Sequence, residues 1–376
     1  MAGEHADAAQ GGAISVALGR AASAVAGFAK IGPVREPVRG AVNPARPCVT
    51  RPLNLYFSEE RNVDRWVPLD RYARDWGRRL IFGRPRFSGQ SRMFLNLCAG
   101  LDRIGVPFRV NDFGHARRHP EEVACILGKP NLLDRMKWRN PIVFGAAVYN
   151  HPLDRPDLLE QLPVKKVLVP GEWMRRMCEP WWGSAVTAWP VGIDTVRWQP
   201  ADGKDTDILL YDKVLWQRAS CERSLIAPIR NRLDRMGVSF REIRYGSYRE
   251  ADFLDALKRC RAMIFLCEHE TQGIAYQQAL SCGVPIFAWD RGGPWLDKSY
   301  YPHRVEFGPV SSVPYWDVRC GEKFAGMEDF AEGLDSFWSG VKNGRFSPRD
   351  YVLENLTLEQ CARSYVDIVR SVGACS

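Results

Sequence analysis

One stretch of the sequence, residues 261–290, constrains the fold of the chain more than any other. It begins with an apolar run, residues 262–267, that has the length and composition of a buried strand. A polar break ending at Gly273 separates this run from a helical pattern. A second apolar run, residues 284–289, follows the helix and ends at Asp290. Strand, loop, helix and strand in this order are typical of a sheet with parallel strands, so we expect an α/β fold.

The polar break in this stretch is where we expect a ligand. In parallel sheets, ligands bind at the carboxyl ends of strands, where helix N-termini present free N–H groups to anions. Gly273 stands at the predicted start of the helix and allows the backbone to approach a ligand closely. Glu270 lies just before it, and its carboxylate can accept hydrogen bonds from hydroxyl groups. An anion-accepting helix end beside a carboxylate suits a phosphorylated sugar, so the stretch predicts a sugar-nucleotide site.

The same stretch resembles the donor-binding signature of retaining GT-B glycosyltransferases, in particular glycosyltransferase family 4 (glycosyl transferases group 1). The family pattern is a glutamate, seven residues and a second glutamate, with a glycine between them and Gly-Val-Pro-Ile after the helix. Glu270 matches the first glutamate, Gly273 the glycine, and residues 283–286 the tail. The second position holds Gln278, where the family's glutamate binds the ribose hydroxyls. A polar strand-to-helix loop of any parallel α/β protein is the alternative interpretation.

Two further motifs resemble the same family. Residues 189–194 and 198–200 are similar to the hinge motif Pro-x-Gly-Ile/Val-Asp … Phe-x-Pro, which marks the crossing between the two domains. Lys213 and Arg218 follow a predicted strand with the spacing of the two family cations that bind the donor diphosphate. The residue types of this pair are exchanged relative to the family. Two exposed basic residues on a loop are the alternative interpretation.

The first half of the chain carries fewer matches. Gly89 precedes a predicted helix where the family has a glycine pair that faces the cleft, and an ordinary helix N-cap is the alternative. His151 follows the strand-like residues 142–148. A family histidine at this place points toward the reacting sugar, and a structural histidine is the alternative. His115 and His119, in an Arg-rich loop, are weaker site candidates.

The resemblance implies a GT-B fold of the α/β class, with two Rossmann-like domains that face each other across a cleft. We expect a flexible Ala/Gly-rich N-terminal tail over residues 1–47 and an N-terminal acceptor domain over residues 48–195. A C-terminal nucleotide-sugar donor domain is expected over residues 196–350. The remaining residues, 351–376, are expected to form a helix that packs back on the N-terminal domain.

The implied reaction transfers a hexose from a nucleotide diphosphate sugar to a hydroxyl of a glycan, lipid-linked or small-molecule acceptor, with retention. The resemblance assigns catalysis to Glu270, His151 and Lys213. It assigns donor binding to Arg218, Gly273, Ile274, Gln278, Thr271, Gln272 and Gly89. Because two cations and helix N–H groups could stabilise the leaving diphosphate, we expect neither a metal nor a cofactor besides the donor substrate. The alternative is a non-catalytic GT-B protein that binds a nucleotide or glycan at a decayed donor site.

Composition narrows the kinds of partner. The net charge of +8 favours an anionic partner such as a phosphate, an acidic glycan, a membrane surface or a nucleic acid. The 13 tryptophans are spread along the chain and not interleaved with basic residues on one face, so we expect no nucleic-acid partner. A peripheral membrane contact through the tail or the Arg-rich residues 71–92 is one interpretation of these segments. The alternatives are a floppy tail and a solvated helix face.

Cysteine usage indicates the compartment. The 11 cysteines contain no Cys-x-x-Cys pair and several stand inside apolar runs. Isolated thiols of this kind favour a reducing compartment, so we expect a cytoplasmic protein, with contact at the inner face of the membrane left open. We expect no structural zinc site.

Overall fold

The computed structural model describes residues 51–58, 89–146 and 148–373 of the chain. The predicted tail and most of the Arg-rich residues 71–92 lie outside these ranges. No helix in the described residues is both long enough and apolar enough to span a bilayer.

The first sheet has six parallel strands in the order β2-β1-β3-β4-β5-β6. They are β1 Leu53–Phe57, β2 Phe108–Val110, β3 Ala124–Leu127, β4 Ile142–Gly145, β5 Val164–Val169 and β6 Val186–Ala188. The helices of this part, which we call the first domain, are α1 Gly89–Arg103, α2 Phe113–Arg118, α3 Leu158–Gln161 and α4 Glu172–Trp182. Strands β3 and β4 are buried at every residue, which explains their uninterrupted apolar runs.

The second sheet has five parallel strands in the order β11-β10-β9-β7-β8. They are β7 Thr206–Lys213, β8 Phe240–Arg244, β9 Cys260–Cys267, β10 Ile286–Trp289 and β11 Gly321–Phe324. The helices of this second domain are α5 Arg218–Cys221, α6 Ala227–Arg235, α7 Glu250–Arg259, α8 Ile274–Ser281, α9 Met327–Lys342 and α10 Pro348–Asn355, and a π-turn, Glu222–Ile226, joins α5 to α6. Both sheets have the doubly wound order, in which the second strand of the domain, β2 or β8, lies at one edge of its sheet.

One predicted strand is shorter than expected. The apolar residues 142–148 predict a strand over the whole run, but β4 ends at Gly145. A Cβ at this glycine would lie 2.2 Å from the carbonyl oxygen of Leu168, so the chain passes against β5 where no side chain fits. Sequence hydrophobicity does not report such a close approach.

The last helix, α11 Leu358–Gly373, returns to the first domain and packs on α1. A Cβ at Gly100 of α1 would lie 2.5 Å from the carbonyl oxygen of Leu358, so the two helices approach closely at this glycine. The predicted hinge residues lie beneath the same helix, where Trp189 Nε1 donates to the carbonyl of Cys361 at 3.0 Å. The domain boundaries drawn from the sequence stay a prediction.

The connection between β10 and β11 also crosses to the first domain. It packs on the first sheet through large side chains, which the sequence does not mark as a unit. Trp295, Tyr300 and Val310 belong to the buried core of that sheet, and Val305 and Phe307 pack against it. The two domains are therefore joined at a second place besides the C-terminal helix.

Candidate functional site

The candidate site lies at the topological switch point of the second sheet, between the neighbouring strands β7 and β9. Lys213 is the last residue of β7, and Glu270 follows the end of β9. Lys213 Nζ donates a hydrogen bond of 2.6 Å to Glu270 Oε1. The side chains are only 17% and 11% exposed. Two residues that the sequence predicted for this site, 57 positions apart, are thus brought together as an ion pair.

The Lys213 ammonium is held in its charged form. Burial lowers its pKa, but the Glu270 carboxylate more than offsets this effect, and the net pKa of Lys213 is raised. The ring of Tyr245 adds a cation–π contact, with Nζ at 4.5 Å from the ring centroid. A ligand at this site therefore meets a cation and a carboxylate side by side.

Arg218, the second predicted cation, has carboxylate partners within the second domain. Its guanidinium contacts Asp212 Oδ1 at 2.7 Å and Glu222 Oε2 at 3.0 Å. Asp212 is 1% exposed, so its charge needs a compensating cation. The spacing of Lys213 and Arg218 could not reveal this pairing, because the burial of Asp212 is a property of the folded sheet. Contact of Arg218 with a donor diphosphate stays a prediction.

A third carboxylate at the switch point was not predicted from the sequence. Glu268 accepts hydrogen bonds from the backbone N–H groups of Leu215 at 2.9 Å and Trp216 at 2.7 Å. It ties the loop after β7 to the loop after β9, and so fixes the backbone on both sides of the ion pair. In the sequence, only the position of Glu268 at the end of an apolar strand indicates that it belongs to this site.

The polar side chains of the predicted donor set differ in their surroundings. The Gln272 amide bonds within the protein, since its Oε1 accepts from Val191 N at 3.1 Å and its Nε2 donates to Gln277 Oε1 at 3.2 Å. Gln278 is 8% exposed, and its amide has no hydrogen-bond partner among the described residues. Gln278 is therefore the member of this set with a free amide.

The remaining donor candidates are two residues of the loop and helix after β9 and one residue of the first domain. Ile274 is the first residue of α8 and packs against the core of the second domain. The carbonyl of Thr271 lies against the first domain, where a Cβ at Gly171 would approach it to 2.8 Å. Gly89 is the first residue of α1, and a Cβ there would meet no described atom within 4 Å. Their roles in donor binding stay predictions.

Gly273 has a structural requirement of its own. Its φ is +75°, in the left-handed region, and a Cβ would lie 2.0 Å from Cε1 of Tyr276. The Tyr276 ring is fully buried, so it cannot move aside. The structure thus requires glycine here before any ligand is considered.

Replacing Gly273 with alanine should lower the free energy of unfolding by about 2–4 kcal/mol, through backbone strain and overlap with the ring. Gly203→Ala is the matched control, because Gly203 has the same φ of 75° but open space around it. Only the backbone cost of about 1–2 kcal/mol is expected there. Urea denaturation measures both variants, and equal losses would show that the Tyr276 contact is unimportant.

The loop after β9, which carries Glu270, contacts α4 of the first domain. Trp173 Nε1 donates to the carbonyl of Glu270 at 2.7 Å, and the Glu270 N–H donates to the carbonyl of Ser311 at 3.0 Å. A pocket of about 260 Å³ lies beside these contacts, with Arg176, Trp316 and Lys323 among its lining residues. Trp173 was missed from the sequence because nothing local indicates a partner 97 residues away.

His151 is placed at the contact between the two domains. Its Nδ1 accepts from the backbone N–H of Leu153 at 3.1 Å, which caps a short 3-10 turn. The ring is 5% exposed and lies 5.9 Å from Trp295 and 5.7 Å from Tyr300, between centroids. This environment accounts for a structural histidine, and a catalytic role of His151 stays a prediction.

A second histidine at the domain contact escaped the sequence reasoning. His269 precedes Glu270, and its Nε2 accepts from the backbone N–H of Leu296 at 3.1 Å. Burial lowers the pKa of His269, against the opposing effect of the Leu296 carbonyl and the nearby glutamates. Burial also lowers the pKa of His151, with Asp154 opposing and Arg304 adding to the effect.

These shifts predict that the protein loses stability as the pH falls below about 6.5, the ordinary histidine pKa. Both histidines have a lowered pKa in the folded state, so the unfolded chain binds protons first. Stability is complete above the unfolded pKa and declines through the window below it. Thermal unfolding between pH 8 and pH 5 measures the slope.

Two variants test which groups cause this slope. His151→Asn keeps an acceptor for the Leu153 N–H, and His269→Gln keeps one for the Leu296 N–H. Each should flatten the slope, whereas a variant of the exposed His303 should not. An unchanged slope in both variants would contradict the prediction.

Comparison with known proteins bears on the fold. Neither protein-family models nor curated protein sequences match this chain. AviGT4, a glycosyltransferase involved in avilamycin A biosynthesis, is similar in structure, with a TM-score of 0.53 and 12% identity over 86% of this chain and 99% of its own. A sucrose-phosphate synthase from Thermosynechococcus elongatus gives a TM-score of 0.48 and 11% identity over 77% of this chain and 81% of its own. WaaG, a glycosyltransferase involved in lipopolysaccharide biosynthesis, gives a TM-score of 0.45 and 13% identity over 76% of this chain and 97% of its own.

The likeness to AviGT4 spans both sheets and nearly the whole of that protein. It shows that the two Rossmann-like domains of this chain form the GT-B fold. The predicted fold class is therefore confirmed. Membership of family 4 and retention of configuration stay predictions.

Proposed function

We propose that the chain is a glycosyltransferase that moves a hexose from a nucleotide diphosphate sugar to an acceptor hydroxyl. The observation that carries the proposal is the Lys213–Glu270 pair at the switch point of the second GT-B domain. A diphosphate needs a fixed cation, and the sugar beside it needs an acceptor for its hydroxyl groups. AviGT4, which is similar in structure, is a glycosyltransferase, and this agrees with the proposal.

In the proposed reaction, negative charge develops on the leaving diphosphate. Lys213 supplies the compensating charge at a partly buried position, where it needs little reorganisation during the reaction. The N-terminus of α8 adds N–H groups with the favourable end of the helix dipole. We propose that these groups suffice without a metal, and that transfer proceeds with retention.

The other residues of the site have separable roles in this proposal. Glu270 binds hydroxyl groups of the transferred sugar, and the free amide of Gln278 binds the ribose as both donor and acceptor. Arg218 keeps Asp212 compensated and so positions the strand end that carries Lys213. His151 lies on the first-domain side, where the acceptor would enter.

The acceptor is expected at the switch point of the first sheet, between β1 and β3. The start of α1 is close to this edge, since a Cβ at Gly128 would lie 3.9 Å from Gln90 Oε1. Glycans, lipid-linked sugars and small molecules all offer the required hydroxyl. Cytoplasmic location and contact with the membrane stay predictions.

The test is thermal stabilisation of the full chain by a panel of nucleoside diphosphates and their sugars, with and without EDTA. A ligand that binds only the folded state at 100 times its Kd stabilises it by about 2.7 kcal/mol. One nucleotide should raise Tm in EDTA, and Lys213→Ala should abolish the rise. Arg259→Ala is the matched control, because Arg259 also pairs with a carboxylate, Asp205 at 2.6 Å, but at the opposite ends of β7 and β9 from Lys213.

Turnover separates the proposal from a non-catalytic binding protein. Release of free sugar from the bound donor, or its transfer to an acceptor, is expected in the purified protein. Binding without either reaction would favour the non-catalytic protein. No Tm rise with any nucleotide would overturn the donor site itself.

A further inference from the structure

A second group of chemistry-bearing side chains lies in the first domain. His115 belongs to α2, and His119 caps the end of the same helix, four residues later. Residues at this spacing lie on one face of a helix, an arrangement that recurs in zinc-binding helices. Glu122 follows just before β3. From the sequence alone, the two histidines are weak site candidates and no histidine pair is taken to have metal-ligand spacing. The four-residue spacing of His115 and His119 shows that this interpretation is wrong.

The donor atoms of these three side chains converge. His115 Nε2 is 2.8 Å from Glu122 Oε2, and the two imidazole rings lie 4.2 Å apart, centroid to centroid. One nitrogen or oxygen from each of His115, His119 and Glu122 lies within 4.8 Å of the others. Tetrahedral zinc, with bonds of about 2.0–2.2 Å, needs ligand atoms about 3.3–3.5 Å apart. The observed separations, from 2.8 Å to at most 4.8 Å, bracket this range.

We propose that His115, His119 and Glu122 bind a zinc ion. Two imidazoles and one carboxylate are a donor set of known zinc sites, and water completes the tetrahedron. This proposal replaces the sequence expectation that the chain has no structural zinc site. Magnesium prefers oxygen ligands and octahedral geometry, so the donor set disfavours it.

The backbone that carries two of the ligands is fixed by a buried side chain. Asn140 is 2% exposed, and its Nδ2 donates to the carbonyls of both His119 at 2.8 Å and Glu122 at 2.9 Å. The loop between the two ligands is therefore clamped before any ion binds. Such preorganisation by supporting hydrogen bonds is a general feature of binding sites.

The carboxylate is oriented by a second chain of hydrogen bonds. Arg109 donates to Asn54 Oδ1 at 3.2 Å, which turns Asn54 Nδ2 toward Glu122 Oε2 at 2.9 Å. Outer hydrogen bonds of this type fix ligands in metal sites. They leave the second carboxylate oxygen of Glu122 available to the metal.

The position of the cluster separates it from the proposed donor and acceptor sites. Glu122 precedes β3 and Asn54 lies near the start of β1, so the site is at the amino ends of these strands. The proposed donor and acceptor sites lie at carboxyl ends. The side chains of His115, Glu122 and His119 are 13%, 20% and 42% exposed, so an ion can reach them from solvent. The ion would tie α2 to the loop before β3.

Calorimetric titration of the tag-free, EDTA-treated and desalted full chain with ZnCl₂ tests the site. We expect one equivalent of zinc to bind and to raise Tm, and MgCl₂ to do neither. His119→Ala and Glu122→Gln should each weaken zinc binding at least about tenfold, the scale at which even outer hydrogen-bond partners act. His303→Ala, at an exposed histidine, should bind zinc as the parent does.

Folding controls keep the result interpretable. His119 is the most exposed of the three ligands, and glutamine at 122 can still accept from Asn54, so both variants should keep the metal-free Tm. Zinc binding that is absent in the parent, or unchanged in both variants, would overturn the proposal. Because the readout is zinc affinity, this outcome is independent of donor binding and transfer.

Discussion

Glu270→Ala is expected to reduce transfer about 100–1,000-fold and to destabilise the protein by about 1–3 kcal/mol. The variant removes the proposed acceptor for the sugar hydroxyls and leaves Lys213 without its carboxylate partner. Burial then acts on the Lys213 pKa without the opposing Glu270 charge, so this pKa should fall. Steady-state kinetics and urea denaturation measure the two effects.

A double variant separates the chemical role of the pair from its structural role. Lys213→Met alone and Glu270→Gln alone each leave one partner charge uncompensated, and each should lower stability. Glu270→Gln combined with Lys213→Met removes both charges, so much of the stability should return. Activity should stay lost, because neither the cation nor the carboxylate is present. Recovery of activity in the double variant would show that the pair is only structural.

The sequence indicated Glu270 through its place after an apolar strand, and Lys213 through the spacing of a motif of the resembled family. The two residues meet because β7 and β9 are neighbours in the sheet, which the structure shows. The hinge was predicted from a motif of the resembled family, and the C-terminal helix from its local apolar pattern. Gly273 was found for a related reason, although the Tyr276 ring explains the glycine independently of any ligand.

The residues that the sequence reasoning missed act through contacts between distant segments. Trp173 bonds to the Glu270 backbone from 97 positions away. Trp295 lies in a connection with no regular pattern, yet it belongs to the core of the other domain. Such contacts depend on how the two domains pack against each other. The hydrophobic periodicity of a single sequence gives no information about that packing. The His115–His119 spacing, by contrast, is visible in the sequence.

Trp295→Ala should lower the free energy of unfolding by about 3–5 kcal/mol, the usual cost of removing a buried aromatic side chain. Trp295 is 5% exposed and lies 5.1 Å from Tyr300 and 5.9 Å from His151, between ring centroids. Its loss would leave a cavity where the connection between β10 and β11 packs on the first sheet. Urea denaturation measures the stability, and hydrogen exchange of that connection should increase.

Trp181→Ala is the matched control, because Trp181 also contacts His151, edge-on at 6.1 Å, but is 43% exposed. A substitution at such a surface position should cost about 0.5 kcal/mol or little more. Nucleotide binding by Trp295→Ala should weaken as well, because Leu296 and Ser311 of the same connection bond to His269 and Glu270. Transfer should fall, because both domains must meet around the substrates. Equal destabilisation by the two variants would show that the connection is not held through the core of the first domain.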